Sequence, residues 1–405
     1  MPQFSTTPLP PGALHGLRVV EMGQLIAGPF AAKTLGDFGA NVIKIEPPGN
    51  GDPLRGWRLL QDGTSVWWQV QSRNKRSVAL DLRSREGQDI ARRLVTEADV
   101  LIENFRPGTL EDWGLGPDAL LALNPGLVML RISGYGQTGP YRDRPGFGAI
   151  GEAMGGLRHL TGEPGRVPVR CGVSIGDTLA ALHGTIGVLL ALYHRKAHGG
   201  AGQVIDVALH EAVFNVMESL IPEYDAFGVV REAAGTALPG IAPSNAYRCR
   251  DGFVLVAGNG DSIFKRLMVC IGRDDLGRAP DLAHNGGRVE RVAEIDAAIE
   301  AWTLPRTVAA VLDELGRARV PAGKIYDAKD IAEDPHYLAR DMILRQTTRD
   351  GHDLAVPGIV PKLSTTPGSV RTAAPHLGGD TDAVLREMGL ADADIARLRA
   401  LGIVA

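Results

Sequence analysis

The feature that most constrains the fold is an alternation of strand and helix signals over the first 227 residues. Leu17 to Met22 (LRVVEM) reads as a buried strand. A short helix follows from Pro29 to Phe38, with proline in its first turn and Gly39 ending it, and Asn41 to Glu46 (NVIKIE) is the second strand. Further strands are expected at Val78 to Leu82, Asp99 to Glu103, Val128 to Ile132 and Gln203 to Ala208. Helices are expected at Gly87 to Glu97, Pro117 to Leu123, weakly at Ala149 to Leu157, and at Glu211 to Phe227. Strands that alternate with helices form a parallel, doubly wound sheet, with ligands at its carboxyl edge.

Past a linker, Ala246 to Arg250 and Gly252 to Ala257 flank Asp251-Gly252, a hairpin signal, and short helices follow. The expected layout is a large α/β domain (1–227), a linker (228–240), a smaller α+β domain (241–327) and a C-terminal segment (328–405) returning to the first.

The first strand–helix turn, Gly23 to Gly28, lacks the G-x-G-x-x-G phosphate fingerprint, which argues against a nicotinamide or flavin oxidoreductase. Glu46 nevertheless ends the second strand, where dinucleotide-binding folds keep an acid for the ribose. Asn74-Lys75-Arg76-Ser77 reads as a solvated basic cluster or, less readily, a phosphate contact. Asn104-Phe105-Arg106 ends a strand with an amide, a ring and a guanidinium. Such groups can bond, stack on and neutralise an adenosine phosphate, although a packed Phe and a surface Arg explain them as well. Ser133 to Tyr141 (SGYGQTGPY) is a glycine-rich loop over the sheet edge.

Cys171 to Lys196 (CGVSIGDTLAALHGTIGVLLALYHRK) is a loop, one carboxylate and a helix. Leu179, Leu182, Ile186, Leu189, Leu190 and Tyr193 give that helix an apolar stripe. Asp177 then falls at the expected N-cap. It reads either as a cap accepting first-turn N–H groups, or as a nucleophile held ionised by the helix and approached past Gly172 and Gly176. His159 and His183 read more readily as structural than as proton carriers.

A formal charge of −4 without a concentrated basic face argues against nucleic-acid binding. Three cysteines (Cys171, Cys249, Cys270) share no metal-ligand spacing and suit a reducing compartment. No apolar run is expected to reach the length of a membrane span, and the start lacks signal-peptide character, so a cytoplasmic location is expected.

Eight segments occur in one order: AGPFAAKTLGDFGANVIKIEPPGNGDPLRGW, NKRSVALDL, ENFRPGTLEDWGL, SGYGQTGP, GVSIGDTLAALHG, HGGAGQVIDVALHEA, RVPAGKI and APHLGGDT. In these the chain resembles the family III coenzyme A transferases. The resemblance implies an enzyme moving CoA between carboxylic acids, with Asp177 as nucleophile and CoA as substrate; no tightly bound cofactor or metal is implied. It also implies CoA contacts at Ile26, Ala27, Leu80, Arg83, Asn104, Phe105 and Arg106, with Arg144 to Phe147 on the pantetheine side, and an interlocked, ring-like homodimer. Basic residues of the formyl-CoA transferases are replaced here by Pro47 and Asp112, which shifts phosphate contacts to Arg83 and Arg106. The segments VPVRCGVSIGD and SNAYRCRDGFVLVAGNG look most like glutarate-type members, implying succinyl-CoA as donor and a small dicarboxylate or hydroxy-acid as acceptor. Arg166 or Arg170 would then meet the acceptor's distal carboxylate.

Two alternatives stay open. The related α-methylacyl-CoA racemases need a histidine where this chain has Phe147, with an acid in place of Gly148. A non-catalytic CoA-binding protein would keep the fold without turnover.

Overall fold

The computed structural model describes residues 11–405, in two compact units. One unit holds the described chain up to Leu157, Cys171–Pro222 and Ala339–Ala405; the other holds Arg158–Arg170 and Glu223–Leu338.

The larger unit is built on six parallel strands: β1 (Arg18–Glu21), β2 (Asn41–Glu46), β3 (Lys75–Ala79), β4 (Val100–Glu103), β5 (Val128–Ser133) and β6 (Val204–Ala208). Their order across the sheet is β3-β2-β1-β4-β5-β6. The order reverses between β1 and β4, and at such a reversal the loops leaving the two strands diverge and open a crevice at the carboxyl edge. The α/β fold with a parallel sheet is therefore as the alternation requires. β3 begins three residues earlier than expected, because Lys75 to Ser77 lie inside the sheet.

Strand side chains alternate between two cores. Val19, Val100, Ile102, Val128 and Leu130 face one side, with α1 (Ala27–Asp37) and α4 (Ile175–His198). Val20, Leu101 and Met129 face the other, with α2 (Arg85–Thr96) and the C-terminal helix at Thr381–Glu387. Between β5 and β6 the chain also forms α3 (Gly148–Met154), and after β6 it forms α5 (Leu209–Phe214). The single helix expected over 211–227 is broken: α5 stops at Phe214, Glu218 has φ 53°, and a separate helix covers Leu220–Phe227.

α4 buries its small residues. Gly176, Ala180, Ala181, Gly184, Thr185, Val188 and Ala191 face inward. A Cβ on Gly184 would sit 2.8 Å from Leu130, and one on Gly187 2.8 Å from Ile205, so the helix axis approaches the sheet closely only because these positions are glycine. The large apolar stripe read from the sequence faces outward. Leu182, Ile186, Leu189, Leu190 and Tyr193 are between 42% and 68% exposed. The helix also corrects the expectation about membrane spans, since its length and mean hydropathy of 1.6 are those of a spanning segment. Its leucines, isoleucines, valine and alanines raise the hydropathy while its basic residues cluster in the last turn, and its small face packs on the sheet as a core helix.

The smaller unit has a three-stranded antiparallel sheet, Ala322–Lys324, Gly252–Ala257 and Ser244–Cys249 in that order. Helices cover one face, with Val254, Val256, Phe264, Ile295 and Val311 in its core. The segment 158–170 groups with it: Gly235 N donates to Gly162 O at 2.9 Å, and His159 meets Glu232 at 3.2 Å.

Candidate active site

The loop after β1 and the loop after β4 meet across the crevice through one side chain. Gln24 N donates to Asn104 Oδ1 at 2.7 Å, and Asn104 Nδ2 returns a bond to Gln24 O at 2.9 Å. The Asn104 amide is thus committed to the backbone, and its position fixes the loop Gln24–Ala27.

A buried ion network supports the same loop from below. Lys44 Nζ lies 2.7 Å from Glu21, 2.9 Å from Asp52 and 2.8 Å from Gly23 O. Asp52 in turn accepts from the N–H of Leu25 at 3.0 Å, where the backbone takes φ 64°. Burial alone would lower the pKa of the Lys44 amine, but the carboxylates of Asp52, Glu21 and Glu46 more than offset it and hold the amine charged. Burial pulls the neighbouring Lys75 down to about 8, although Glu21 lies 2.8 Å away.

These contacts correct two expectations. The basic cluster is neither solvated nor free for phosphate: Lys75 pairs with Glu21, Arg76 with Glu387 at 2.8 Å, and Asn74 donates to Asp37 at 2.8 Å. Glu46 is not available to a ribose. Arg55 grips it at 2.7 and 2.8 Å and Ser77 donates to it at 2.6 Å. Burial would raise the Glu46 carboxyl, but the Arg55 contact and the Lys44 charge bring it below the usual carboxylate range.

Asp177 lies in the first turn of α4, not at its cap, which is Ser174. A negative charge in that turn interacts favourably with the helix dipole. Two glycines make room for it. A Cβ on Gly148, the first residue of α3, would fall 2.0 Å from Asp177 Oδ2. A Cβ on Gly176 would lie 3.0 Å from Gly148 O. The two helix starts therefore close on each other with the carboxylate packed over bare backbone.

Asp177 borders a cavity of about 220 Å³ together with Ile26, Ala27, Asn104, Arg144 and Phe147. A second cavity of about 360 Å³ holds Leu80, Arg83, Glu46 and Trp113. Gln24, Phe105 and Arg106 line both, so the two form one path along the carboxyl edge. Asp177 and every CoA contact that the resemblance implied, Arg144 to Phe147 included, border this path. The Phe105 ring is held edge-on by Trp113 at 5.3 Å between centroids. Arg166 and Arg170 line neither cavity. His183 is bound to Leu179 O and Asn215 at 2.9 and 3.2 Å, contacts of a structural residue.

Gln24 and Trp113, which line the path, were not singled out from the sequence, and Ser133 was named only as the start of the glycine-rich loop. Gln24 and Ser133 had a readable signal, since each lies at or just beyond the end of a strand at the sheet's carboxyl edge.

Residues 14–381 match CoA-transferase family III. The succinyl-CoA–D-citramalate CoA-transferase of Chloroflexus aurantiacus is 48% identical, over 98% of this chain and 99% of its own length. The succinyl-CoA–L-malate CoA-transferase beta subunit of that organism is 42% identical, over 99% of each chain. Among solved structures, a CAIB/BAIF family protein from Brucella suis superposes with a TM-score of 0.83 at 35% identity, over 94% of this chain and 100% of its own. With a six-stranded parallel sheet, near-complete alignment and a carboxylate in the crevice, this chain belongs to CoA-transferase family III and is a CoA-transferase.

Proposed function

We propose that the protein transfers CoA from succinyl-CoA to a small hydroxylated dicarboxylic acid of the citramalate or malate type, with Asp177 as the covalent carrier. The observation that carries this reading is the Asp177 carboxylate over Gly148, at the inner end of a two-cavity path whose outer end holds Arg83 and Leu80. The near full-length likeness to enzymes named for succinyl-CoA supports the donor.

The nucleotide lies in the outer cavity, its adenine against Phe105 and Leu80 and its phosphates near Arg83 and Arg106. The pantetheine arm runs past Ile26, Ala27 and Asn104 to Phe147. A carboxylate oxygen of Asp177 attacks the thioester carbonyl; the C–S bond breaks, leaving an aspartyl–succinyl anhydride and CoA thiolate. The thiolate attacks the aspartyl carbonyl, succinate departs with the C–O electron pair, and an aspartyl-CoA thioester remains. The acceptor carboxylate attacks that thioester and expels the thiolate again. The thiolate then takes the acceptor's acyl group, and Asp177 leaves as a free carboxylate. No net proton moves, so no second base is required. Phe147, whose ring carries no exchangeable proton, is consistent with transfer rather than α-proton exchange.

The exposed apolar stripe of α4 supports a homodimer of interlocked chains, with that face covered by the second copy. The three free cysteines support a reducing, cytoplasmic setting.

Intact mass spectrometry tests the central claim. Wild type incubated with succinyl-CoA and trapped with hydroxylamine or borohydride acquires a modification mapping to Asp177; Asp177→Ala acquires none. An unmodified wild type that exchanges an α-proton in deuterated water would overturn the transferase assignment in favour of racemase chemistry.

A further inference from the structure

Arg83 lies in the outer cavity, Arg106 in both, and Arg144 only in the inner one with Asp177. Among the described residues, none of the three guanidiniums is paired with a carboxylate; that of Arg106 reaches only the Asp143 carbonyl, at 3.4 Å. CoA is charged at its phosphates, and its pantetheine arm is neutral. Cations in the outer and shared positions are thus accounted for by the nucleotide, whereas a guanidinium at the acyl end meets no charge on the CoA arm.

Arg144 is held in place. Its guanidinium lies 3.6 Å from the centre of the Tyr141 ring, and its backbone N–H donates to the Tyr141 carbonyl at 2.9 Å in a tight turn. Tyr141 meets Tyr135 edge-on at 5.9 Å, and Tyr135 packs on His210 at 5.8 Å. A guanidinium stacked on a ring keeps its in-plane N–H edge available for bidentate pairing with a carboxylate.

The reaction brings negatively charged groups towards Asp177 in both half-reactions. A dicarboxylic substrate adds a second negative charge, at the end of the acyl chain away from the reacting carbon, and an unneutralised charge there would be repelled by Asp177. We propose that Arg144, braced by Tyr141, receives the distal carboxylate of the acyl donor and then that of the acceptor, and so selects dicarboxylic over monocarboxylic substrates of equal length. This rests on the transferase reading above and assigns to Arg144 the part that the sequence suggested for Arg166 or Arg170.

Binding and turnover separate the two claims. On an Asp177→Ala background, which cannot turn over, Arg144→Gln is expected to weaken succinyl-CoA binding about 10- to 100-fold, the loss of a charge-assisted pair. Butyryl-CoA, of equal chain length without the carboxylate, and free CoA are expected to bind as before. Arg144→Lys restores part of the preference, and Tyr141→Leu shifts it in the same direction as Arg144→Gln by a smaller factor. With Asp177 restored, Arg144→Gln raises KM for donor and acceptor dicarboxylates more than it lowers kcat. Equal weakening of succinyl-CoA, butyryl-CoA and CoA would make Arg144 a CoA contact and overturn the proposal, as would an unchanged succinyl preference. If instead wild type forms no Asp177 adduct while the binding preference follows Arg144, the transferase reading fails and carboxylate recognition by Arg144 stands.

Discussion

At the scale of single residues, the site depends on an atom that is missing. A Cβ at position 148 would overlap the Asp177 carboxylate at 2.0 Å, and the group that must yield is the end of a side chain, not backbone. Gly148→Ala is therefore expected to leave stability within about 1 kcal/mol, with helix propensity offsetting local crowding. It should lower kcat about 100-fold, because the nucleophile is displaced from its line of attack. Thermal unfolding beside steady-state kinetics separates these effects; an unchanged kcat would show that Asp177 does not react from this position. Asp177 was legible in the sequence as a carboxylate at a helix start, and its candidate partners followed from ordered motifs. Its pairing with Gly148 was not legible, because the two residues lie 29 positions apart and meet only where two helix starts converge.

At the scale of elements, the strands were readable from their apolar alternation, and the order of the sheet places the crevice. What the alternation hid is the ion network beneath the β1–α1 loop. A lysine or glutamate within a strand reads as a solvent-facing position, and only the register of three neighbouring strands shows that Glu21, Lys44 and Lys75 share a buried layer. Lys44→Met removes the charge that Glu21 and Asp52 face, and leaving buried carboxylates uncompensated costs about 3–5 kcal/mol. The direction with pH follows from the same contacts. In the native protein Asp52 is held below its ordinary value: burial alone would raise it, and Lys44 and the Leu54 N–H outweigh that. Glu46 is likewise lowered. Such groups stabilise the fold fully above their unfolded values of roughly pH 4, and that contribution is lost as pH falls through the folded ones. Without Lys44 burial prevails, the carboxyls titrate higher, and the acid-unfolding midpoint followed by circular dichroism should move to higher pH. A midpoint that stays in place would mean that the network contributes nothing to holding the loop.

At the scale of the whole molecule, α4 carries two faces with different tasks. Its glycines and alanines let it lie close on β5 and β6, which is why its large side chains are turned out. From sequence alone the large residues were the natural candidates for burial. The close approach of helix to sheet, which depends on what stands opposite each glycine, reversed the assignment. Five large apolar side chains on one helix form a patch of the kind that in water is covered by another surface. If a second copy covers it, wild type sediments as a dimer at micromolar concentration, and Ile186→Glu with Leu190→Glu places two carboxylates in the interface and yields monomers. The end of the helix that carries Asp177 lies about two and a half to three and a half turns from those positions, so free CoA should still bind the monomer. A wild type that sediments as a monomer would remove the dimer from the proposal. A monomer that also floats with lipid vesicles would assign the face to a membrane surface instead, a use that the length and hydropathy of α4 permit.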